Sequence, residues 1–358
     1  MKKIRYYISG HGLGHASRSC QIINTLRRRR PDIGLEVVTA AHPWFLERFL
    51  DPSVPIRRRP LDLGVLQRDS LVMMERETLQ AYREFLPERQ RIIDGEADSL
   101  LKGGVSMVAA DIPPCAFAAA FMAGIPSVGI SNFSWDWIYE ELAAKFPGFD
   151  DVLESVRGDY ARAARLLRLP FCGEFPAFRH IEDIPMVARR ASRSPDEVRR
   201  YLEISPGKKL GLISFGGFGL GDFFSDALGR IPGWLFLAEP ALAGGAGNLL
   251  PLPGESLTYP DLVGAADAVV TKPGYGIVSE CIANRTPLLY TSRGDFREQS
   301  LLVAGLHRFA RALEIDNGNL RRGNWGEYLE KLLALPEPAE TIAADGDIAA
   351  ADRLADLA

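Results

Sequence analysis

At 358 residues the chain is too long for one comfortable hydrophobic core, and the usual domain size of roughly 100 to 200 residues implies two domains. With 47% hydrophobic and 25% charged residues and a formal net charge of -4, it has the make-up of an ordinary soluble globular protein, with no basic excess to attract nucleic acid. Its four cysteines, Cys20, Cys115, Cys172 and Cys281, form no CxxC pair, so neither a zinc site nor a disulfide framework is expected.

The opening MKKIRYYISG lacks the apolar core of a signal peptide. The longest apolar stretch, CAFAAAFMAGIPSVGI, is broken by Gly124 and Pro126, short of the roughly 20 residues that span a bilayer. A cytoplasmic protein without a transmembrane segment is expected. From residue 4 to about 130, short β-rich runs alternate with helical patterns, the signature of a parallel sheet flanked by helices. IRYYIS and LEVVT read as strands around a helix from about Ala16 to Arg30, and SMVAAD and PSVGIS as strands around CAFAAAFMAG. Between the pairs, RETLQAYREFLPERQRIIDGEADSLL carries apolar residues at helical spacing. Arg27 to Arg30 end the first helix just before Pro31, where cations favour the helix C-terminus, so they read as a helix end rather than a phosphate patch.

The stretch ISGHGLGHASR follows the first strand. Gly10, Gly12 and Gly14 remove side chains where the backbone turns and another molecule can approach, and the next helix aims its free N–H groups there. His15 begins that helix, where the dipole disfavours added positive charge, a setting that suits a general base. Asp111, in VAADIPP, ends another strand of the same sheet and is placed to orient His15 through its second ring nitrogen. The bland alternatives are that His11 and His15 fill a turn and that Asp111 caps a helix.

Prolines and aromatics replace periodicity in RLPFCGEFPAFRHIEDIP, which marks the interdomain connection. The pattern then restarts: KKLGLISFGG is a strand and glycine loop, WLFLAE, DAVVT and TPLLY are strands, and GIVSECIAN is helical. In TKPGYGIVSE a strand ends at Thr271 and a helix begins beyond Gly274 and Gly276. With Lys272 and the loop SFGGFGLGD, this makes an expected diphosphate cradle. NFSWDWIY follows a strand and presents ring-containing side chains and a carboxylate. These are acceptor candidates, although an aromatic stripe is also what a core looks like. Arg18, Asp69, Asn132, Trp135 and Asp136 make up the expected acceptor side. No P-loop occurs, and the dinucleotide fingerprint after the first strand is incomplete. Asp345-Gly346-Asp347 spells a DxD metal motif but opens the last helical segment, so capping by Asp347 is expected and no metal is assigned.

The run from Gly274 to Glu280, then Pro287, then REQ ending at Gln299, resembles the donor signature of GT-B glycosyltransferases that use nucleotide sugars. These include plant secondary-metabolite enzymes and the bacterial peptidoglycan N-acetylglucosaminyltransferase. The resemblance implies that Glu280 binds ribose hydroxyls and that Glu298 with Gln299 binds the sugar. The interval from Pro287 to Gln299 is slightly longer than the plant pattern. Over nearly the whole chain, YYISGHGLGHASR, LDLGVLQRDSL, SNFSWDWIY, RLPFCGEFPAFRHIEDIPMVARR and KPGYGIVSE are similar to the glycosyltransferase-like amino-terminal region of plant L-arabinokinases. The serine-rich phosphate loop of their kinase half has no counterpart, so arabinose phosphorylation is not implied.

The resemblance implies an α/β chain of GT-B class, with two Rossmann-like, doubly wound parallel-sheet domains facing across a cleft. The expected acceptor domain spans residues 1–178, joined by the C-terminal helix at 340–358, and the donor domain spans 190–338. The expected function is metal-independent, inverting transfer of a sugar from a UDP-sugar to a hydroxyl of a small-molecule or glycan acceptor, with no cofactor beyond the co-substrate. The catalytic pair is His15 and Asp111. Donor contacts are expected from Gly12, Gly14, Gly216, Gly217, Phe218, Lys272, Gly274, Tyr275, Gly276, Glu280, Glu298 and Gln299. The alternatives are a nucleotide-sugar epimerase or hydrolase, or a non-catalytic sensor of sugar nucleotides.

Overall fold

The structure, a computed structural model, describes residues 2–68, 71–216, 225–239, 247–254, 256–294 and 296–358. The chain divides into two compact domains. The first comprises Met1–Gln67, Met73–Val187 and Ala343–Ala358, and the second Arg68–Val72 with Ala188–Ile342.

In chain order the first domain contains β1 (Lys3–Ile8), α1 (Gly14–Arg29), β2 (Gly34–Thr39), α2 (Pro43–Phe49), β3 (Ile56–Arg58), α3 (Glu75–Lys102) and β4 (Met107–Asp111). It continues with α4 (Pro114–Met122), β5 (Ser127–Ser131), α5 (Trp135–Lys145), α6 (Asp150–Tyr160), β6 (Arg165–Arg168) and β7 (Ile181–Asp183). The seven strands are parallel in the order β3-β2-β1-β4-β5-β6-β7. The central strands β1, β4 and β5 are buried on both faces, which is why they read as continuous apolar runs rather than alternating ones. Arg5 is the exception inside β1, and its guanidinium is taken up by Glu36 at 3.1 Å and by the Ser99 hydroxyl at 3.0 Å.

The second domain contains α7 (Pro195–Tyr201), β8 (Lys209–Ser214), β9 (Trp234–Ala238), β10 (Leu249–Pro251), α8 (Tyr259–Ala265), β11 (Ala268–Thr271), α9 (Tyr275–Asn284), β12 (Leu288–Tyr290), α10 (Gln299–Phe309), β13 (Ala312–Glu314), α11 (Asn317–Arg322) and α12 (Gly326–Leu333). Its six parallel strands run in the order β10-β9-β8-β11-β12-β13. Phe236, Val270, Leu289 and Trp325 centre its core. Among the described residues no helix is long and apolar enough to cross a membrane.

Two sequence expectations are corrected here. The segment read as the interdomain connection belongs to the first domain, because β7 pairs with β6 and Phe178 stacks on Tyr160, with ring centroids 5.0 Å apart. The first domain therefore extends past residue 178 to Val187. The chain's last helix, α13 (Gly346–Leu357), returns to the first domain and lies along α1. Asp347 does not cap it, since the N-cap position is Asp345. Instead the buried Asp347 carboxylate accepts hydrogen bonds from Thr25 Oγ1 at 2.6 Å and Gln21 Nε2 at 3.0 Å on α1. A Cβ at Gly346 would strike the Pro185 carbonyl, so the glycine of the DxD triplet is there for packing. The arginine run ends α1, with Arg29 paired to Asp352 and Arg30 to Asp32 at the surface.

Asp347→Ala leaves the buried Thr25 hydroxyl and the half-buried Gln21 amide without their acceptor and is expected to cost about 1–3 kcal/mol, whereas exposed Asp345→Ala is expected to stay within about 0.5 kcal/mol. Urea denaturation of the two variants checks the difference.

Candidate active site

In the first sheet the strand order reverses direction between β1 and β4, and open α/β sheets hold their ligands in the crevice at such a switch point, beyond the carboxyl ends of the strands. The register puts Ile8, the last residue of β1, opposite both Thr39 and Asp111. The chain then turns through Gly12, whose φ of 64° lies in the left-handed region, and starts α1 at Gly14 with no side chain capping the helix. His15 is thereby set beside the end of β4. Its Nδ1 lies 2.8 Å from Asp111 Oδ1, with the histidine 5% and the aspartate 0% exposed.

Asp111 has further partners. Arg18, one turn along α1, donates from Nε to Oδ2 at 2.6 Å and from Nη2 to Oδ1 at 2.7 Å, and the Ser19 hydroxyl donates to Oδ2 at 3.1 Å. The same guanidinium donates to Ser131 Oγ at 3.0 Å and to Asn132 Oδ1 at 2.6 Å. Burial pushes the Asp111 carboxyl up, but the charges and hydrogen bonds of Arg18 and His15 outweigh it and hold the group below the usual carboxylate range. An ionised carboxylate only accepts hydrogen bonds. The same Nη2 also lies 3.0 Å from His15 Nδ1. With an ionised carboxylate oxygen 2.8 Å from Nδ1, the arrangement favours the tautomer that carries its hydrogen on Nδ1 and leaves Nε2 as the acceptor.

An aromatic cluster fixes the ring from behind. Trp135 lies 5.9 Å from His15, 5.3 Å from His11, 5.0 Å from Phe133 and 5.9 Å from Tyr139, centroid to centroid. Its indole N–H donates to Asp62 Oδ2 at 3.0 Å, and Tyr139 donates to the Gly64 carbonyl at 2.6 Å. The loop after β3 is thus strapped onto the cluster. Gly64 has φ of 62°, and a Cβ there would sit 2.7 Å from the His11 side chain. Asp62, which sequence reading missed, is a second buried carboxyl near His15, and burial pushes it up. Its only sequence signal is an acid inside the apolar run LDLGVL.

The expected acceptor contacts are rearranged. Arg18 and Asn132 are buried members of the Asp111 network, and Trp135 is wholly inside the aromatic cluster. Asp136 is also fully buried, its carboxyl pushed up by burial, with Arg157 Nε 3.8 Å away. These four residues are buried in the packing around His15 and Asp111. Asp69, Gly217 and Phe218 lie outside the described residues.

The second sheet reverses between β8 and β11, and of the predicted donor residues Gly216, Lys272, Gly274, Tyr275 and Gly276 follow these two strands, while Gly12 and Gly14 lie in the first domain. Gly216 follows β8 with φ of 70°. Across the register, Thr271 at the end of β11 donates to the Ser214 carbonyl at 2.6 Å, and half-buried Lys272 comes next. Gly274 precedes α9 in an extended conformation. Tyr275 begins the helix, and Gly276 lies in its first turn. Glu280 is buried on α9 and paired with Arg189, whose Nη2 is 2.6 Å from Oε1. Glu298 and Gln299 start α10. Gln299 accepts from the Arg293 amide at 2.6 Å and donates to Ser292 Oγ at 3.1 Å. Arg293 joins the two loops: its Nη1 donates to the Pro273 carbonyl at 3.2 Å and stands 3.7 Å from Glu298 Oε2, and its guanidinium lies over the Phe296 ring at 3.8 Å. Burial lowers this guanidinium, and the Glu298 charge acts against that. Arg189 and Arg293 were not singled out from the sequence, where single arginines in loops look like any solvated charge.

No family model matches the chain. It is 33% identical over 356 residues to L-arabinokinase of Arabidopsis thaliana, covering 96% of this chain and 33% of that protein, so it spans about a third of the length of this curated relative. Similar solved structures include UGT89C1 of Arabidopsis thaliana, with a TM-score of 0.66, 14% identity, and 99% of each chain covered. UGT2 of Phytolacca americana, complexed with UDP-2fluoro-glucose and pterostilbene, has a TM-score of 0.62, 16% identity, and 100% and 94% coverage. MurG of Acinetobacter baumannii has a TM-score of 0.59, 14% identity, and 99% and 100% coverage.

Gly64 and Gly14 are expected to respond oppositely to alanine. Gly64→Ala combines a left-handed backbone with a collision at His11 and is expected to cost about 1–3 kcal/mol. No heavy atom of the described residues lies within 4 Å of a Cβ built at Gly14, and the site is helical, so Gly14→Ala is expected to be neutral or to gain up to about 1 kcal/mol. Chemical denaturation measures both.

Proposed function

We propose, from the premise that this chain has the GT-B fold, that it is an enzyme transferring a sugar from a nucleoside-diphosphate sugar to an acceptor hydroxyl. The observation that carries the reading is the 2.8 Å contact of His15 with Asp111 at the switch point of the first sheet. A histidine with Nε2 bare and Nδ1 bonded to an ionised carboxylate is set to take a proton. The UDP-2fluoro-glucose complex of the similar UGT2 supports a uridine-based donor.

In this reading the acceptor hydroxyl gives its proton to His15 Nε2, and the freed electron pair forms a bond to the anomeric carbon. The bond from that carbon to the diphosphate oxygen breaks, and the diphosphate leaves with the electron pair from the opposite face, so the configuration inverts. The start of α9 and Lys272 stabilise the departing charge without a metal ion. Glu280 takes the ribose hydroxyls, and Glu298 with Gln299 takes the sugar. Glycine suits Gly14 and Gly274 for a reason outside the chain. Neither has a left-handed backbone, and among the described residues a Cβ at either would meet open space, so a ligand can approach the backbone there.

Two measurements test the reading. A thermal-shift screen of nucleoside-diphosphate sugars is expected to single out the uridine series, since a ligand at 100 times its Kd adds about 2.7 kcal/mol to native stability. Gly274→Ala is expected to abolish that shift while leaving the ligand-free Tm in place. With the selected donor, His15→Ala is expected to depress kcat by about 10²- to 10⁴-fold while donor binding survives. Full turnover in that variant ends the assignment of the base. Incubating the donor alone separates transfer from the alternatives: an epimerised or freely hydrolysed sugar identifies an epimerase or hydrolase, and an intact donor points to a missing acceptor.

A further inference from the structure

We infer that Arg18 is a positioning residue that fixes the tautomer of His15 by holding Asp111 in its ionised form. The inference deepens the base assignment above and rests on it for its catalytic meaning, but its geometry and its decisive test concern the ligand-free protein.

Asp111 is wholly buried, and burial by itself favours the neutral acid. The groups that face it are few. From α1 come Arg18, His15 and the Ser19 hydroxyl. From β1 comes the buried Tyr6 phenol, itself pushed up by burial and by the Asp111 charge. From the end of β5, Ser131 and Asn132 reach it through Arg18, and Asp62, on the loop after β3, acts on His15 from the other side. Arg18 is the one permanent cation in this set. Its two bonds to the carboxylate, at 2.6 and 2.7 Å, engage both oxygens in the planar geometry that suits a guanidinium. Asn132 and Ser131 hold the guanidinium in place.

The consequence for His15 follows from donor counting. While Asp111 is ionised it only accepts, so the imidazole hydrogen sits on Nδ1 and Nε2 is the base. Without the Arg18 charge, burial wins and Asp111 takes a proton. The resulting O–H then donates to His15 Nδ1, the ring hydrogen moves to Nε2, and the nitrogen that would accept a proton is blocked. An arginine paired with Asp111 thus decides which nitrogen of the imidazole is reactive. Fixing the wrong tautomer in a Ser-His-Asp triad costs about 10⁴-fold in turnover, which sets the scale.

The test is ¹⁵N NMR of histidine-labelled, substrate-free protein, with the His15 signals assigned by their loss in His15→Gln. Wild type is expected to show the Nδ1–H tautomer. Arg18→Gln is expected to show Nε2–H at neutral pH and to return to Nδ1–H at higher pH, as Asp111 ionises. Arg18→Lys, which keeps the charge, is expected to retain Nδ1–H. With a donor and acceptor in hand, Arg18→Gln is expected to lose 10²- to 10⁴-fold in kcat at pH 7, with its acid limb moved upward and donor KM changed less than about twofold. An Nε2–H tautomer in wild type, or an Nδ1–H tautomer in folded Arg18→Gln between pH 6 and 8, overturns the inference. If the glutamine variant does not fold, the lysine variant decides, and Nε2–H there overturns it equally. A protein with the expected tautomers but no sugar transfer would sink the functional reading and leave this one standing.

Discussion

A carboxylate removed from water must be compensated, and the first domain is arranged around one such group. Asp111 ends a central strand, where both faces of the sheet are covered and no solvent reaches it. The compensation comes from α1, whose first turn and a half supplies His15, Arg18 and Ser19 on one face. Those three residues reach Asp111 together only if α1 starts within a few residues of the end of β1 and β1 lies beside β4. The glycine turn, the strand order and the helix start are therefore parts of one electrostatic requirement. Leaving any one out would strand a buried charge, which typically costs several kcal/mol.

The second domain meets its own switch point by different means. Arg293, in the loop after β12, is tied to the loop after β11 through the Pro273 carbonyl. Glu280 is held by Arg189 in an ion pair sheltered from solvent on α9. Asn284, one turn further on, accepts from the Ala191 amide and donates to the Arg189 carbonyl, so one helix face fixes both the carboxylate and the segment that pairs with it. The first domain brings a titratable pair together, and the second ties two loops through the buried Arg293.

The aromatic residues of NFSWDWIY pack around the two histidines of the first site. Trp135 packs edge-on against His11 and Phe133 and tilted against His15, and its only polar atom is satisfied by Asp62. A large ring with one hydrogen bond is stiffer than any set of aliphatic chains of the same volume, and here it limits the motion of two histidines and one loop.

The sequence by itself determined the class of fold and the identity of the paired residues at the first site. Buried parallel strands read as unbroken apolar runs, and glycine–histidine and aspartate–proline signals at strand ends stand out against them. It also placed the glycine loops after β8 and β11, since a backbone turn between strand and helix needs those residues locally. It missed β3, β6, β7, β10 and β13, which are three or four residues long and take their pairing from a neighbour rather than from their own pattern. It likewise took RLPFCGEFPAFRHIEDIP for a linker, because prolines and aromatics without period look alike whether they plug a core or cross a boundary. Only the tertiary structure decided that Arg18 and Asn132 serve Asp111 and that Trp135 is internal. It alone brought Asp62 toward His15, Arg189 onto Glu280 and Arg293 across two loops. Each of those partnerships joins residues from different elements, and a side chain's role there is set by the neighbour that desolvates or pairs with it.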